Sequence, residues 1–219
     1  MLTFEAVRNN DAVKVYIERA NESLHALGYT EHSFPHVMKV ADTASHILLA
    51  LGYSEREAEL AKIAGYLHDI GNLVNRSEHA QSGAVMAFQI LHQMGGDPAE
   101  IATVVTAIGN HDESKAEAVN EVAAALILAD KTDVRRNRVR NPDPAAFDIH
   151  DRVNYAVTAA KTAINIEEKS ITLTMTVDTE MCAVMDYFEI FLGRMKLCRK
   201  AAEKLGLEFR LVVNEQRLL

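Results

Sequence analysis

An apolar helical segment at residues 61–67 ends in the adjacent pair His68-Asp69, and Gly71 follows two residues later. A helix with so many apolar residues packs in a protein core, so the fold must accommodate an imidazole and a carboxylate at its end. Burying an unpaired carboxylate costs several kcal/mol, which means that Asp69 needs a strong partner. A metal ion is the best candidate, because His nitrogen and Asp oxygen together suit Zn, Mn, Fe or Ni.

Four more residues of the same chemistry stand at or near the ends of predicted helices. His36 and His79 lie near the starts of two helices. His111 follows an apolar helix, and Asp130 ends the apolar run 123–129. A single His or Asp of this kind carries little weight, but an ordered series on consecutive helices is specific. The other histidines are predicted to be structural or surface residues: His25, His32, His46, His92 and His150.

The order of these residues resembles the HD superfamily of metal-dependent phosphohydrolases over roughly residues 30–137. The resemblance implies a helical bundle in which four residues hold the metal. Those defining ligands would be His36, His68, Asp69 and Asp130. One or two divalent ions are expected as cofactor, and Mn, Fe, Ni, Co and Zn all suit such ligands.

The extra histidines resemble those of HD branches that hold two ions, such as the HD-GYP phosphodiesterases and the HD diadenosine tetraphosphate hydrolases. By this resemblance Asp69 bridges the ions, and His79 and His111 hold the second one. Two departures stand out. Asn72 replaces a lysine found in many relatives, and segment 111–113 reads His-Asp-Glu where HD-GYP proteins have His-His-Glu. The GYP signature is missing too, so cleavage of cyclic di-GMP is disfavoured, while mononuclear and dinuclear centres both stay open.

A basic segment begins directly after Asp130, with Lys131 and Arg135 one helical turn apart. It is either a solvated helix end, where cations favour the helix dipole, or a phosphate clamp. The resemblance implies a phosphomonoesterase or phosphodiesterase that cleaves a phosphoester or phosphoanhydride of a small nucleotide or related metabolite with metal-activated water. In that reading Asp69, Lys131 and Arg135 are the catalytic residues. The alternative is a non-catalytic, metal-bound HD signalling or scaffold module.

Composition and charge limit the classes of partner that the protein is expected to bind. The 219-residue chain carries a net charge of −8, which argues against a protein that coats nucleic acid and leaves a small phosphorylated substrate as the expected partner. Cys182 and Cys198 lie on one predicted helix, too far apart for a disulfide, and predict reduced thiols. Without a signal-peptide pattern or an apolar stretch long enough for a membrane span, we expect a cytoplasmic protein; a homodimer stays open.

Helix signals fill the first part of the chain, and the pattern changes after Arg140. We therefore predict a mainly α fold with a helical HD domain at residues 1–140 and a small α+β unit at 141–219, separated by a turn at 141–144. The second unit would hold a two- or three-stranded antiparallel sheet and a long helix. The predicted elements are helices over 4–27, from Ser33, from Ser54 to His68, from Ser77, from Asp97, over 116–136, over 149–159 and over 179–205, and strands within 162–177 and over 207–213.

Overall fold

The computed structural model describes residues 2–113, 116–141, 143, 147 and 149–219, of which residues 150 and 184 are described by their backbone alone. The first part of the chain contains α1 (Phe4–Asn9), α2 (Asp11–Ala26), α3 (Phe34–Ala50), α4 (Glu55–Leu67), α5 (His79–Gln93), α6 (Pro98–Gly109) and α7 (Glu121–Lys131), with short 3-10 turns at Ile70–Leu73 and Arg136–Arg138. The second part contains α8 (Ile149–Ala156), β1 (Val157–Asn165), β2 (Ser170–Val177), α9 (Val184–Lys204), β3 (Glu208–Val213) and β4 (Gln216–Arg217).

Side chains fix the starts of several helices. Ser54 and Glu57 form a capping box at the start of α4, and Asp97 accepts two backbone N–H groups at the start of α6, as predicted. The predicted cap at Ser77 is wrong. Glu78 precedes α5 instead, in a left-handed conformation with φ 58° and without a side-chain cap. This turn sets the direction in which the chain enters α5, whose first residue is His79.

Polar residues shorten two of the predicted helices. The helix predicted over 4–27 is divided at Asn10, whose Oδ1 accepts the N–H groups of the first turn of α2. A short amide side chain competes with the backbone for hydrogen bonds, which explains the break. The helix predicted over 116–136 begins only after its cap, Asn120, and ends at Lys131.

Two glycines permit the close packing that positions the polar cluster. A Cβ on Gly65 would lie 2.7 Å from Ala41 Cα, so α4 approaches the backbone of α3 at a distance that other residues cannot match. A Cβ on Gly71 would lie 2.0 Å from the His79 carbonyl oxygen and 2.4 Å from the Gly83 nitrogen. The turn after α4 is therefore pressed against the start of α5. Together these contacts bring the ends of α4 and α5 beside α3.

The C-terminal sheet has the strand order β1-β2-β3-β4. β2 pairs antiparallel with β1 and parallel with β3, and β3 pairs antiparallel with β4. The mainly α fold with a small α+β part is confirmed, but the prediction of a purely antiparallel sheet of two or three strands is wrong. Parallel neighbours need a long crossover, and α9 supplies it between β2 and β3. The inward residues of β2 are the predicted ones: Ile171, Leu173, Met175 and Val177.

The long helix α9 packs on the sheet and also on α7. The buried hydrophobic residues form a single cluster that runs from Leu2 to Val213. The division at residue 140 stays a prediction, and Pro142 and Pro144 of its predicted turn lie outside the described residues. In the part of the chain that the structure covers, no helix combines the length and apolar character needed to cross a membrane.

Candidate metal centre

Two buried imidazoles are held so that their Nε2 atoms face the same point. His36, in the first turn of α3, has its Nδ1 2.8 Å from Asp133 Oδ2. His68, directly after α4, has its Nδ1 2.8 Å from the carbonyl oxygen of Gly65. Both oxygens are acceptors, so Nδ1 carries the hydrogen in the neutral ring and Nε2 presents a lone pair. This is the arrangement of metal-binding histidines.

Carboxylate oxygens of Asp69 and Asp130 face these nitrogens. Asp69 Oδ2 lies 3.2 Å from His68 Nε2 and 3.5 Å from His36 Nε2. Asp130 Oδ1 lies 3.4 Å from His36 Nε2 and 3.7 Å from His68 Nε2. Ligands about 2.1 Å from one ion stand roughly 3.0–3.4 Å apart in octahedral or tetrahedral geometry. The four atoms are therefore close to the separations of a single coordination sphere.

Three atoms of this cluster are buried and have no hydrogen-bond partner among the described residues: His36 Nε2, His68 Nε2 and Asp69 Oδ2. Buried polar atoms are almost always paired, because an unpaired one costs about 1–3 kcal/mol. Three such atoms facing each other match the donor set of a bound cation. The residues present thus fit a divalent metal ion.

A second group of donors lies on the other side of Asp69. His79 Nε2 is 3.3 Å from His111 Nε2 and 3.5 Å from Asp69 Oδ1. Their Nδ1 atoms are held at 3.1 Å and 2.6 Å by the carbonyl oxygens of Arg76 and Ile108. Asp69 thus directs Oδ2 toward the first group and Oδ1 toward the second. The structure brings all six predicted ligand residues together.

The charges of the site favour a bound cation. Burial opposes ionisation, yet the neighbouring His68 and Lys131 hold the pKa values of Asp69 and Asp130, respectively, well below the usual range. Burial also opposes charge on His36, but the adjacent carboxylates raise its pKa to about 9. Burial, together with the nearby His68 and Lys131, lowers the pKa of His111 to about 3. The carboxylates are therefore ionised and His111 is neutral, whereas His36 carries a proton that a bound cation would replace.

Asp133 positions His36 and also binds the guanidinium of Arg135. The Arg135 Nε and Nη2 atoms lie 2.8 Å and 2.9 Å from the two carboxylate oxygens of Asp133. Arg135, predicted to bind phosphate, is not among the residues that line the adjacent cavity. Lys131 does line it, and its Nζ lies 2.7 Å from Asp130 Oδ2 and 3.5 Å from Glu113 Oε1.

A cavity of about 230 Å³ opens beside Asp69, His79, His111 and Asp130. This volume is below the roughly 300–1,000 Å³ of pockets that enclose drug-sized ligands, so it suits a phosphate group with part of its substituent. Four basic side chains line the cavity: Arg76, Lys131, Arg138 and Arg194.

Sequence reasoning missed Arg76. Asn72, which stands in place of the relatives' lysine, donates its amide to Asp69 Oδ1 at 2.9 Å. Arg76 Nη1 lies 3.3 Å from Asn72 Oδ1 and 3.9 Å from Asp69 Oδ1. Arg76 therefore places a positive charge beside the carboxylate of Asp69, in a site where the relatives' lysine is absent. The available signal was a basic residue three positions before His79.

The sequence predicted a structural or surface role for His32 and did not predict its place at the cavity. His32 lines the cavity, with its ring edge-on to His36 at a centroid distance of 5.5 Å and its Nδ1 2.7 Å from the Thr30 carbonyl oxygen. Its position four residues before His36 was the only sequence signal. Three other histidines are exposed, as predicted: His25, His46 and His92. The side chain of His150 lies outside the described part of the chain.

Histidines and aspartates from successive helices converge beside a basic cavity in a mainly helical protein, and these side chains could hold a metal ion. Residues 34–135 match the HD domain family. This match covers just under half of the chain, and it confirms the predicted resemblance of these residues to the HD superfamily. Two groups of described donors could hold an ion, and both lie within the matched range. The first is His36, His68 and Asp130; the second is His68, Asp69 and His111.

Two curated proteins are similar to the chain. The uncharacterized protein MJ1020 of Methanocaldococcus jannaschii is 27% identical over 172 aligned residues, which cover 68% of this chain and 66% of that protein. Ribonuclease Y of Opitutus terrae is 30% identical over 119 residues, which cover 54% of this chain and 21% of the enzyme. The chain therefore spans just under two thirds of the first relative and about a fifth of the second.

Proposed function

We propose that the protein hydrolyses a phosphoester or phosphoanhydride bond of a small phosphorylated metabolite, most simply a nucleotide. The observation that carries this proposal is the convergence of three buried, unpartnered atoms on one point: His36 Nε2, His68 Nε2 and Asp69 Oδ2. The HD domain supports metal-dependent phosphate chemistry at that point. Ribonuclease Y cleaves RNA, as its name states, and P–O bond hydrolysis is the chemistry proposed for this chain.

The first ion would be held by His36, His68, Asp69 and Asp130, and a second by Asp69 with His79 and His111. These residues would hold a divalent ion, which when bound would polarise a phosphoryl oxygen and lower the pKa of water toward about 7. The ligand chemistry suits Mn, Fe, Ni, Co and Zn alike.

The surrounding residues orient these ligands and balance charge. Asp133 fixes the ring of His36, and Asn72 fixes the carboxylate of Asp69. Arg76, beside Asp69, offers guanidinium N–H groups to the oxygens of the scissile phosphate. The small cavity and the net charge of −8 favour a metabolite over a nucleic-acid polymer as substrate. The cytoplasmic location and a homodimer stay predictions.

The test compares wild type with Asp69→Ala after chelator treatment and reloading with each of the five metals. Substrates are p-nitrophenyl phosphate and bis(p-nitrophenyl) phosphate, which separate phosphomonoesterase from phosphodiesterase activity. We expect metal-dependent turnover by wild type, and loss of both bound metal and activity in Asp69→Ala. His46→Ala, an exposed position on α3, is the matched control and should keep both.

Elemental analysis of the same samples counts one or two ions per chain. An Asp69→Ala protein that is metal-free and fully active would refute the proposal. Stoichiometric metal binding by wild type without turnover of either substrate would instead indicate a non-catalytic, metal-bound HD module.

A further inference from the structure

The C-terminal helix α9 contributes a side chain to the cavity of the HD domain. The Arg194 Nε atom lies 2.5 Å from Glu113 Oε1, and its guanidinium carbon lies 4.7 Å from the ring centroid of the buried Phe191. An aromatic ring and an acidic partner therefore hold the guanidinium in place where it lines the cavity. Its side chain remains 26% exposed, so a ligand can reach it.

Arg76 is held in the same way on the cavity wall. Its guanidinium carbon lies 5.7 Å from the ring centroid of Tyr29, and its Nη1 lies near Asn72. A guanidinium has five N–H donors, so each of these two arginines retains donors beyond those used by its partners among the described residues. Arg138 differs, because it is 7% exposed and donates to the backbone carbonyl oxygens of Glu31 and Asp133.

The two arginines lie at different places relative to the metal ligands. Arg76 Nη1 is 3.9 Å from Asp69 Oδ1, beside the metal centre. Among the described residues, a row of three ion pairs connects Arg194 to Asp130. Asp130 pairs with Lys131 at 2.7 Å, Lys131 with Glu113 at 3.5 Å, and Glu113 with Arg194 at 2.5 Å. Arg194 thus lies beside Glu113, whereas Arg76 lies beside the proposed ligand Asp69, so an anion that binds Arg194 can be a different group from a phosphate bound at the metal centre.

We propose that Arg194 binds a second phosphate group of the substrate, which makes the substrate class an organic diphosphate such as a nucleoside 5′-diphosphate. This inference rests on the proposed hydrolase function. In the reaction, a water oxygen bonds to the terminal phosphorus, and the bond from that phosphorus to the bridging oxygen breaks. The bridging oxygen leaves with the electron pair, and the products are orthophosphate and the monophosphate held by Arg194. Of the two protons of the water, one stays on the orthophosphate and the other is released to solvent. The C-terminal part of the chain thereby completes the active site.

The test compares ADP, which has two phosphate groups, with p-nitrophenyl phosphate, which has one, under the metal that gives the highest activity. Replacing Arg194 by Ala should raise KM for ADP by about 10-fold or more, because a charge-assisted hydrogen bond is lost. For p-nitrophenyl phosphate, kcat/KM should stay within about 2-fold. Arg199→Ala is the matched control, because Arg199 lies on α9 and pairs with Glu203 at the surface. It should change neither substrate.

Equal losses on both substrates would show that Arg194 acts on the scissile phosphate or only supports Glu113, and no loss on either would show that it binds no substrate. Either result overturns the proposal. Arg194→Gln, which keeps an aliphatic stem and a polar end without the charge, replaces the alanine variant if that variant does not fold. If wild type hydrolyses neither compound, the hydrolase proposal fails separately, and calorimetry of the metal-loaded protein still tests Arg194. Wild type and Arg199→Ala should bind imidodiphosphate more tightly than orthophosphate, and Arg194→Ala should not; equal preference in all three proteins overturns the proposal.

Discussion

At the scale of single residues, the polar network around His36 holds its ring so that Nε2 faces the carboxylates of Asp69 and Asp130. Asp133 is buried, and it accepts from His36 while Lys39 and Arg135 bind its oxygens. The two cations compensate the charge of the carboxylate, so Asp133 would not need a metal ion as a further partner. Its expected contribution is to fix the ring orientation and the tautomer of His36.

Replacing Asp133 by Asn should weaken metal binding by about 10- to 100-fold, the usual effect of losing the partner of a ligand histidine. Activity should fall at limiting metal and recover when metal is in excess. Competition titration against a chromogenic chelator measures the affinity. Asp42→Asn is the control, because Asp42 is an exposed carboxylate that pairs with Lys62 and lies on α3, the helix that carries His36. Unchanged affinity in Asp133→Asn would show that Asp133 does not position the ligand.

At the scale of secondary-structure elements, glycines set how closely the ligand-bearing helices approach. Gly71→Ala should destabilise the fold by about 1–3 kcal/mol or more, because the new Cβ collides with backbone atoms of His79 and Gly83. Gly193→Ala is the control with the opposite sign. It lies within α9 with no atom within 4 Å of a new Cβ, so it should stabilise by up to about 1 kcal/mol. Thermal unfolding of both variants measures the difference, and an unchanged Gly71→Ala would contradict the close approach.

The sequence was sufficient to predict the helical ends that carry the site. His68, Asp69 and Asp130 each follow an apolar run, so local pattern alone indicates where a buried polar side chain emerges. Arg76 and His32 lie in connections whose course depends on tertiary packing, such as the contact of Gly71 with α5. No local sequence pattern indicates the path of these connections, so the positions of Arg76 and His32 on the cavity wall could not be predicted.

The same limit applied to the C-terminal part. The alternation in β2 predicted its buried face correctly, because that signal is local. The parallel pairing of β2 with β3 and the position of Arg194 depend on where α9 crosses. That crossing is decided by packing on α7, which lies far away in the sequence.

At the scale of the whole molecule, the thiols test whether the two parts of the chain unfold together. Cys198 is fully buried on α9, and burial raises its pKa to about 12. Cys182 is buried as well, and burial raises its pKa. A thiolate forms near pH 8.5 in the unfolded chain, so the unfolded state binds fewer protons than the native state above that pH. The contribution of the buried thiols to the free energy of unfolding should therefore be complete below about pH 8.5 and decline as the pH rises above that value.

Because one hydrophobic cluster spans Leu2 to Val213, α9 should not separate from α7 before the rest unfolds. In metal-loaded protein at about pH 8, a chromogenic disulfide reagent should react slowly with both thiols. The urea midpoint for thiol exposure should coincide with the midpoint for loss of helical circular dichroism, as two-state unfolding requires. A Cys182→Ala variant assigns the signal to Cys198. Exposure of Cys198 at a lower urea concentration than helix loss would show that the C-terminal part detaches as an independent unit, taking Arg194 out of the cavity with it.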